Sequence, residues 1–323
     1  MDFSILILTY NSDYEKIKLT IDSVLKQQDV TKEIIVCDDA SHENHFSKLQ
    51  QYLTQTQIPF QLSGNTTNQG TVCNILKGLE LAQGTYAKLI GAGDMLYHSH
   101  TLADVAAFMK TEHCNSCFGA MHGYRFNGTT YESANHFSPR DIQSYRMKNT
   151  DKICRNLMLC EDWVSGAAIF ATTAYYKKYI SLLKGHVLYC EDWATGLAAI
   201  DGEYLHYMDE YAVWYEVGDG ISTSANNTFR KKLLHDNEQY WELFDNYRNK
   251  HAPDQYGKYI RKRRRKKKLE HLSCEWIKLL YKSIVNPDML LFEYQAQKQQ
   301  RQKMHIPQKE TVSDLLQLNT SEK

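Results

Sequence analysis

The residues of this chain that could do chemistry stand where apolar runs stop. The run Tyr86-Ala-Lys-Leu-Ile90 breaks off at Gly91-Ala92-Gly93-Asp94, a buried strand meeting a glycine turn with one carboxylate at its end. Glu33-Ile-Ile-Val-Cys37 runs into Asp38-Asp39-Ala40-Ser41, and Phe3-Ser-Ile-Leu-Ile-Leu8 into Thr9-Tyr10-Asn11. A carboxylate accepts hydrogen bonds without donating any, and it ligates hard cations. Ligands of open α/β sheets bind outside the carboxyl ends of the strands. Asp94 is therefore placed to hold a metal, a diphosphate or nothing. Further along, Cys-Glu-Asp-Trp occurs twice, as Cys160-Glu161-Asp162-Trp163 and Cys190-Glu191-Asp192-Trp193, with no similarity in the flanks that would make a repeat.

The elements that must position these residues alternate strand and helix four times in the first hundred positions. Strands are expected over 3–9, 33–37, 60–62 and 86–90, with helices over about 14–27, 43–55 and 72–82 between them. Tyr14, Ile17, Ile21, Val24 and Leu25 show the helical spacing in the first of these. The pattern predicts an α/β fold, a mostly parallel sheet with helices on both faces. Its three polar strand ends then share one edge and converge on one ligand. Beyond residue 99 the chain reads as a helix near 100–112, strands over 117–126 and 129–133, and an irregular stretch to about 160. A buried strand over Val164–Phe170, a Tyr- and Lys-rich helix and a small-residue helix over Ala194–Ile200 follow, and Val213–Thr223 closes the section. The GxGxxG that a dinucleotide site needs after its first strand is absent, as are a P-loop and a GxSxG elbow.

The 323 residues carry a net charge of zero, which hides an asymmetry. Residues 1–225 hold 17 Lys/Arg against 26 Asp/Glu, and residues 226–323 hold 21 against 12. An acidic body with a basic tail that meets an anionic surface is the expectation. Met1-Asp2-Phe3-Ser4 lacks the basic start of a signal peptide and no apolar run approaches a membrane span, so the eight cysteines read as reduced thiols of a cytoplasmic protein. His113-Cys114-Asn115-Ser116-Cys117 is one CxxC without a second pair, which argues for ordinary thiols over a zinc site.

In this order, these landmarks resemble the inverting family 2 glycosyltransferases of GT-A fold, over about residues 3–225. The family's Pro-Thr-Tyr-Asn appears as Leu8-Thr9-Tyr10-Asn11, and its Asp-Asp-Gly/Ala-Ser as Asp38-Asp39-Ala40-Ser41. Its Asn-x-Gly and Ala-Arg-Asn appear as Asn68-Gln69-Gly70 and Val72-Cys73-Asn74. Its Asp-x-Asp-Asp corresponds to Gly91-Ala92-Gly93-Asp94, and its late Glu-Asp-Trp to Glu191-Asp192-Trp193. The resemblance implies a nucleotide-binding set of Thr9, Tyr10, Asn11, Asp38, Asp39, Asn68, Gly70, Asn74 and Gly93. Within it Asp39, with Asp38, would accept from the N3–H of a uracil or thymine ring. It implies Asp94 as ligand of a Mn²⁺ or Mg²⁺ ion bridging the donor's phosphates. It implies Asp192 as the general base with Glu191 beside it, Asp162 being the rival, and Trp193 and Gly166 on the acceptor side. Trp193 and Trp214 read equally well as core aromatics. Val217-Gly-Asp-Gly-Ile-Ser222 resembles a late loop of the family.

Two departures matter. Gly91 and Gly93 stand where relatives offer further carboxylates, so metal-independent transfer stays open. Cys73 replaces an arginine that faces the diphosphate, and Lys77, one turn on, is the substitute the sequence offers. After residue 225 a helical, basic region to 294 precedes a flexible, Gln- and Lys-rich tail over 295–323. Arg261–Lys268 is eight consecutive cations, followed by Leu269, Leu272, Trp276, Leu279, Leu280 and Ile284 at helical spacing. That combination suits an anionic membrane surface more than nucleic acid, because no stacking aromatics interleave the run. The implied activity is transfer of a sugar from a UDP-sugar, or a dTDP-sugar, to a glycan or lipid-linked saccharide with inversion, in bacterial surface-polysaccharide synthesis. The other reading is a catalytically inactive nucleotide-sugar binder that scaffolds a partner transferase.

Overall fold

A computed structural model describes residues 1–126, 131–134, 136–218, 227–270, 275–291, 294–295 and 298. Part of the late loop, 219–222, and the tail beyond 298 lie outside them. Four parallel strands form one half of a nine-stranded sheet: β1 Phe3–Thr9, β2 Lys32–Asp38, β3 Phe60–Gly64 and β4 Tyr86–Gly91, in the order β3-β2-β1-β4. Ile5, Leu6, Ile7, Ile34, Ile35 and Val36 are fully buried, as a strand covered on both faces requires. Register fixes the edge that matters, since Thr9 lies opposite Asp38 and Leu8 opposite Gly91. The crossovers between these strands are α1 Tyr14–Leu25, α2 Phe46–Thr54 and α3 Thr71–Leu81.

The other half of the sheet is mixed. β5 Met95–Leu96, α4 Thr101–Thr111, β6 Ser116–Phe126 and β7 Tyr131–Ala134 follow β4. The stretch expected to be irregular holds two helices, α5 Ile142–Arg146 and α6 Thr150–Cys160, capped by the side chains of Asp141 and Asn149. Their inner faces escaped the periodicity because polar groups are buried there. Asn156 is buried and donates to Asp141 Oδ2 at 2.9 Å.

Val164–Phe170 is not a continuous strand. Gly166–Ala168 forms a 3-10 turn, and β8 begins at Ile169 and ends at Thr172. β8 runs antiparallel to β4, with Lys88 opposite Phe170. Its start therefore lies toward the carboxyl end of β4, which brings Gly166 to the same edge as Asp94. α7 Thr173–Leu183, α8 Ala194–Ile200 and β9 His206–Glu216 complete the body, and β9 pairs with both β6 and β5. The C-terminal region is helical: α9 Asn227–His251 packs on α8, while α10 Gly257–Glu270 and α11 Glu275–Val285 pack on α6. Among the described residues no helix is long and apolar enough to cross a membrane.

Candidate active site

The polar strand ends open on one cleft of about 1460 Å³. Of the residues expected at the site, Thr9, Tyr10, Asp39, Asn68, Gly70, Asn74, Asp94, Gly166, Glu191, Asp192 and Trp193 line it. Asn11, Asp38 and Gly93 do not; each holds the frame behind it. Asn11 accepts from His42 N–H at 3.0 Å, and its own N–H donates to Ser41 Oγ at 2.7 Å, so it ties the turn after β1 to the turn after β2. Asp38 accepts from the Thr9 hydroxyl at 2.9 Å and from the Ser41 N–H at 2.9 Å.

At the end of β2, Asp39 is buried and organises the loop before α3. Its carboxylate accepts from Asn65 Nδ2 at 2.9 Å, Gln69 N–H at 2.9 Å and Gly70 N–H at 2.8 Å. A carboxylate has about four lone-pair sites, so one remains for a ring N–H. Gly70 has φ +86°, and a Cβ there would meet Leu188 O at 2.7 Å. Only glycine brings the loop that close to the segment before Cys190. Asn74 donates to Cys37 O at 2.8 Å, while its buried Oδ1 has no partner among the described residues. Lys77 is turned away from the cleft, bound to Gly64 O and to Asn65 Oδ1 at 3.2 Å. Among the described residues, the cations that line it are Lys232 of α9 and Lys282 of α11.

The glycine turn after β4 is built around Thr20, whose hydroxyl accepts from Gly93 N–H at 2.9 Å and donates to Asp94 O at 2.7 Å. Gly93 has φ +102°, and a Cβ there would lie 2.3 Å from Glu216 Oε2. Glu216 thus brings a second carboxylate to this corner, where Lys16 holds it at 2.8 Å. The Glu216 N–H donates to Asp94 Oδ1 at 2.9 Å. Burial raises the Asp94 carboxyl to about 7, against the backbone hydrogen bond and the Lys88 charge, which lower it. A single cleft-facing carboxylate fits Mg²⁺ or Mn²⁺, which take few protein ligands and complete their shell with phosphates and water. The one described cluster with three metal-capable donors, His98, Asp104 and Glu210, contributes nothing to the cleft lining.

The two Cys-Glu-Asp-Trp copies face each other, with the Trp163 and Trp193 rings 5.9 Å apart. They are not equivalent. Asp162 is buried behind the cleft, where it accepts from Arg140 N–H at 2.8 Å and Asp141 N–H at 3.1 Å. Asp192 and Glu191 face the cleft. Desolvation raises both carboxyls, and for Asp192 the neighbouring Glu191 charge adds to it. A base held above the ordinary carboxylate range is better matched to proton abstraction near neutral pH. Gly166 shapes this corner, since a Cβ there would meet Glu191 Oε1 at 2.1 Å. Trp193 is buried against Trp163 and Tyr240 with an edge on the cleft, while Trp214 is core.

Sequence reasoning gave Lys88 no role, although a lysine inside an apolar strand is a signal. It is fully buried, its ammonium bound to Ala167 O and to Ile169 O at 3.1 Å and set over the Phe170 ring. It gathers the 3-10 turn that carries Gly166. Burial lowers its pKa to about 7, against the charges of Asp94, Cys117 and Glu191.

The model of the family described as glycosyl transferase family 2 matches residues 4–181. The chain belongs to glycosyl transferase family 2. No curated protein matches this glycosyltransferase. Two solved structures of S. aureus TarS residues 1–349 share its fold. One, in complex with UDP, is 18% identical with a TM-score of 0.52, over 78% of this chain and 67% of that one. The other, in complex with UDP-GlcNAc, is 18% identical with a TM-score of 0.51, over 90% of this chain and 81% of that one. The GT-A architecture of this family 2 enzyme thus agrees with the α/β fold expected from its strand–helix alternation.

Proposed function

We propose that this glycosyltransferase moves a sugar from a UDP-sugar to a glycan or lipid-linked saccharide, with inversion. A dTDP-sugar fits the same acidic contact. The observation that carries the reading is the gathering of Tyr10, Asp39, Asp94 and Asp192 on one cleft from four separate strand and loop ends. TarS, of the same fold, takes UDP and UDP-GlcNAc, which supports a uridine donor. Asp39 accepts from the base N3–H, with Tyr10 against the ring. Lys232 supplies positive charge beside Tyr189. The Asp192 carboxylate removes the acceptor hydroxyl proton as that oxygen attacks the anomeric carbon. The bond from that carbon to the diphosphate oxygen breaks, its electron pair leaves with the nucleoside diphosphate, and the configuration inverts. Glu191 orients the acceptor or the base. A divalent cation at Asp94, when bound, would offset charge on the departing diphosphate.

The setting we infer is bacterial surface-polysaccharide synthesis on the cytoplasmic side, with the basic C-terminal helices at an anionic membrane surface. Residue 225 divides the sequence by charge, but α9 walls the cleft with Lys232, Leu233, Leu234 and Asn237. Asp192→Asn against Asp162→Asn in a transfer assay tests the base; full activity in the former would sink the assignment.

A further inference from the structure

The C-terminal helices do more than carry charge. α11 is fixed at its C-terminal end: Asn286 is buried and donates to Asp141 Oδ2 at 2.6 Å and to Asn156 Oδ1 at 3.1 Å, and Lys152 pairs with Asp288 at 2.5 Å. Its other face is bare. Trp276 is 79% exposed, Ile277 52%, Leu280 60% and Ile284 74%, at spacings that put them in one stripe. Monomeric soluble proteins rarely leave such a stripe uncovered. α10 lies on the same support, α6, and presents Arg261, Lys262, Arg264 and Arg265 to solvent. Arg263 is turned inward, stacked 3.3 Å above Trp241. Exposed cations on α10 and a Trp-bearing apolar stripe on α11, both helices packed on α6, match an anionic bilayer, where the stripe enters the acyl boundary and the cations meet headgroups.

The support also leads into the cleft. α6 ends at Cys160, and Cys160, Glu161 and Trp163 line the cleft together with Lys282 of α11 itself. One helix therefore offers an apolar stripe outward and a cation to the site. We propose that α11 seats on an anionic lipid surface and holds the cleft there, with Lys282 receiving the phosphate group of a lipid-linked saccharide acceptor. This rests on the glycosyltransferase reading and names the acceptor class for it.

The test uses the full chain and the double variant Trp276→Glu/Ile284→Glu, whose side chains touch neither the cleft nor the core. Flotation on phosphatidylglycerol-containing vesicles is compared with flotation on phosphatidylcholine alone. Removing two apolar side chains from the bilayer should weaken binding to anionic vesicles roughly a hundredfold. Hydrolysis of a UDP-sugar in lipid-free buffer should be unchanged, so failure of the enzyme reading shows separately from failure of the membrane one. Lys282→Ala should still float but raise the KM for a lipid-phosphate acceptor, leaving the KM for a phosphate-free saccharide where it was. Equal flotation of wild type and double variant would overturn the proposal. So would a wild type that elutes as a dimer with the variant a monomer, because a second copy would then cover the stripe.

Discussion

Lys88→Met offers the sharpest physical test of how the site is held. The substitution keeps a long unbranched side chain in the β4 interior and removes a charge that burial disfavours. The fall from an ordinary 10.5 to about 7 corresponds to about 5 kcal/mol, at about 1.4 kcal/mol per pH unit. The direction follows from proton counting. The unfolded chain keeps this proton to about 10.5, while the fold releases it near 7, so unfolding takes up a proton between those values. Wild-type stability therefore gains from this group as pH rises through that window, and its cost is largest below 7. Between pH 6 and pH 9 the gain is about 2–3 kcal/mol. Methionine also abandons the carbonyls of Ala167 and Ile169, a loss that does not change with pH. Urea denaturation at pH 6 and pH 9 isolates the titration: the stability of the variant relative to wild type should fall by about 2–3 kcal/mol across the interval. Stability curves of variant and wild type that run parallel between pH 6 and pH 9 would refute the account of Lys88.

Other outcomes follow from the same geometry. Asp94→Ala should abolish metal-stimulated transfer, measured with and without Mn²⁺; unchanged activity would point to a metal-free mechanism. Gly166→Ala puts a methyl where Glu191 Oε1 sits at 2.1 Å and should lower kcat about tenfold or more, with donor KM little changed. Asp39→Asn leaves one of the N–H donors of Gln69 and Gly70 without its carboxylate oxygen, which should cost about 1–3 kcal/mol of stability and weaken donor binding in a titration with UDP.

The parallel half of the fold was legible because its signals are local. Apolar runs of strand length stop at polar turns, and the register that aligns Thr9 with Asp38 follows from parallel pairing. The irregular half was not. α5 and α6 bury Asn156 and Asp141 in a polar network that no hydrophobic period reveals. The Gly166 turn depends on Lys88, 79 residues earlier where it bonds Ala167. Single carboxylates could be read from strand ends, but their neighbours could not. Glu216 reaches the Asp94 turn from β9, 122 residues away, and Lys232 and Lys282 come from C-terminal helices whose approach to the cleft no sequence pattern marks. The duplicated tetrapeptide left Asp162 and Asp192 equivalent in composition. In the fold they differ: backbone amides occupy Asp162 behind the cleft, while Asp192 lines it.

Release of nucleoside diphosphate from a panel of UDP- and dTDP-sugars, by wild type, Asp192→Asn and Asp162→Asn, tests the central claim most directly. Wild type should release the diphosphate from at least one donor, faster when acceptor is present, and Asp192→Asn should lose that release while folded Asp162→Asn retains it. Release from no donor, or equal release by wild type and Asp192→Asn, would contradict the account.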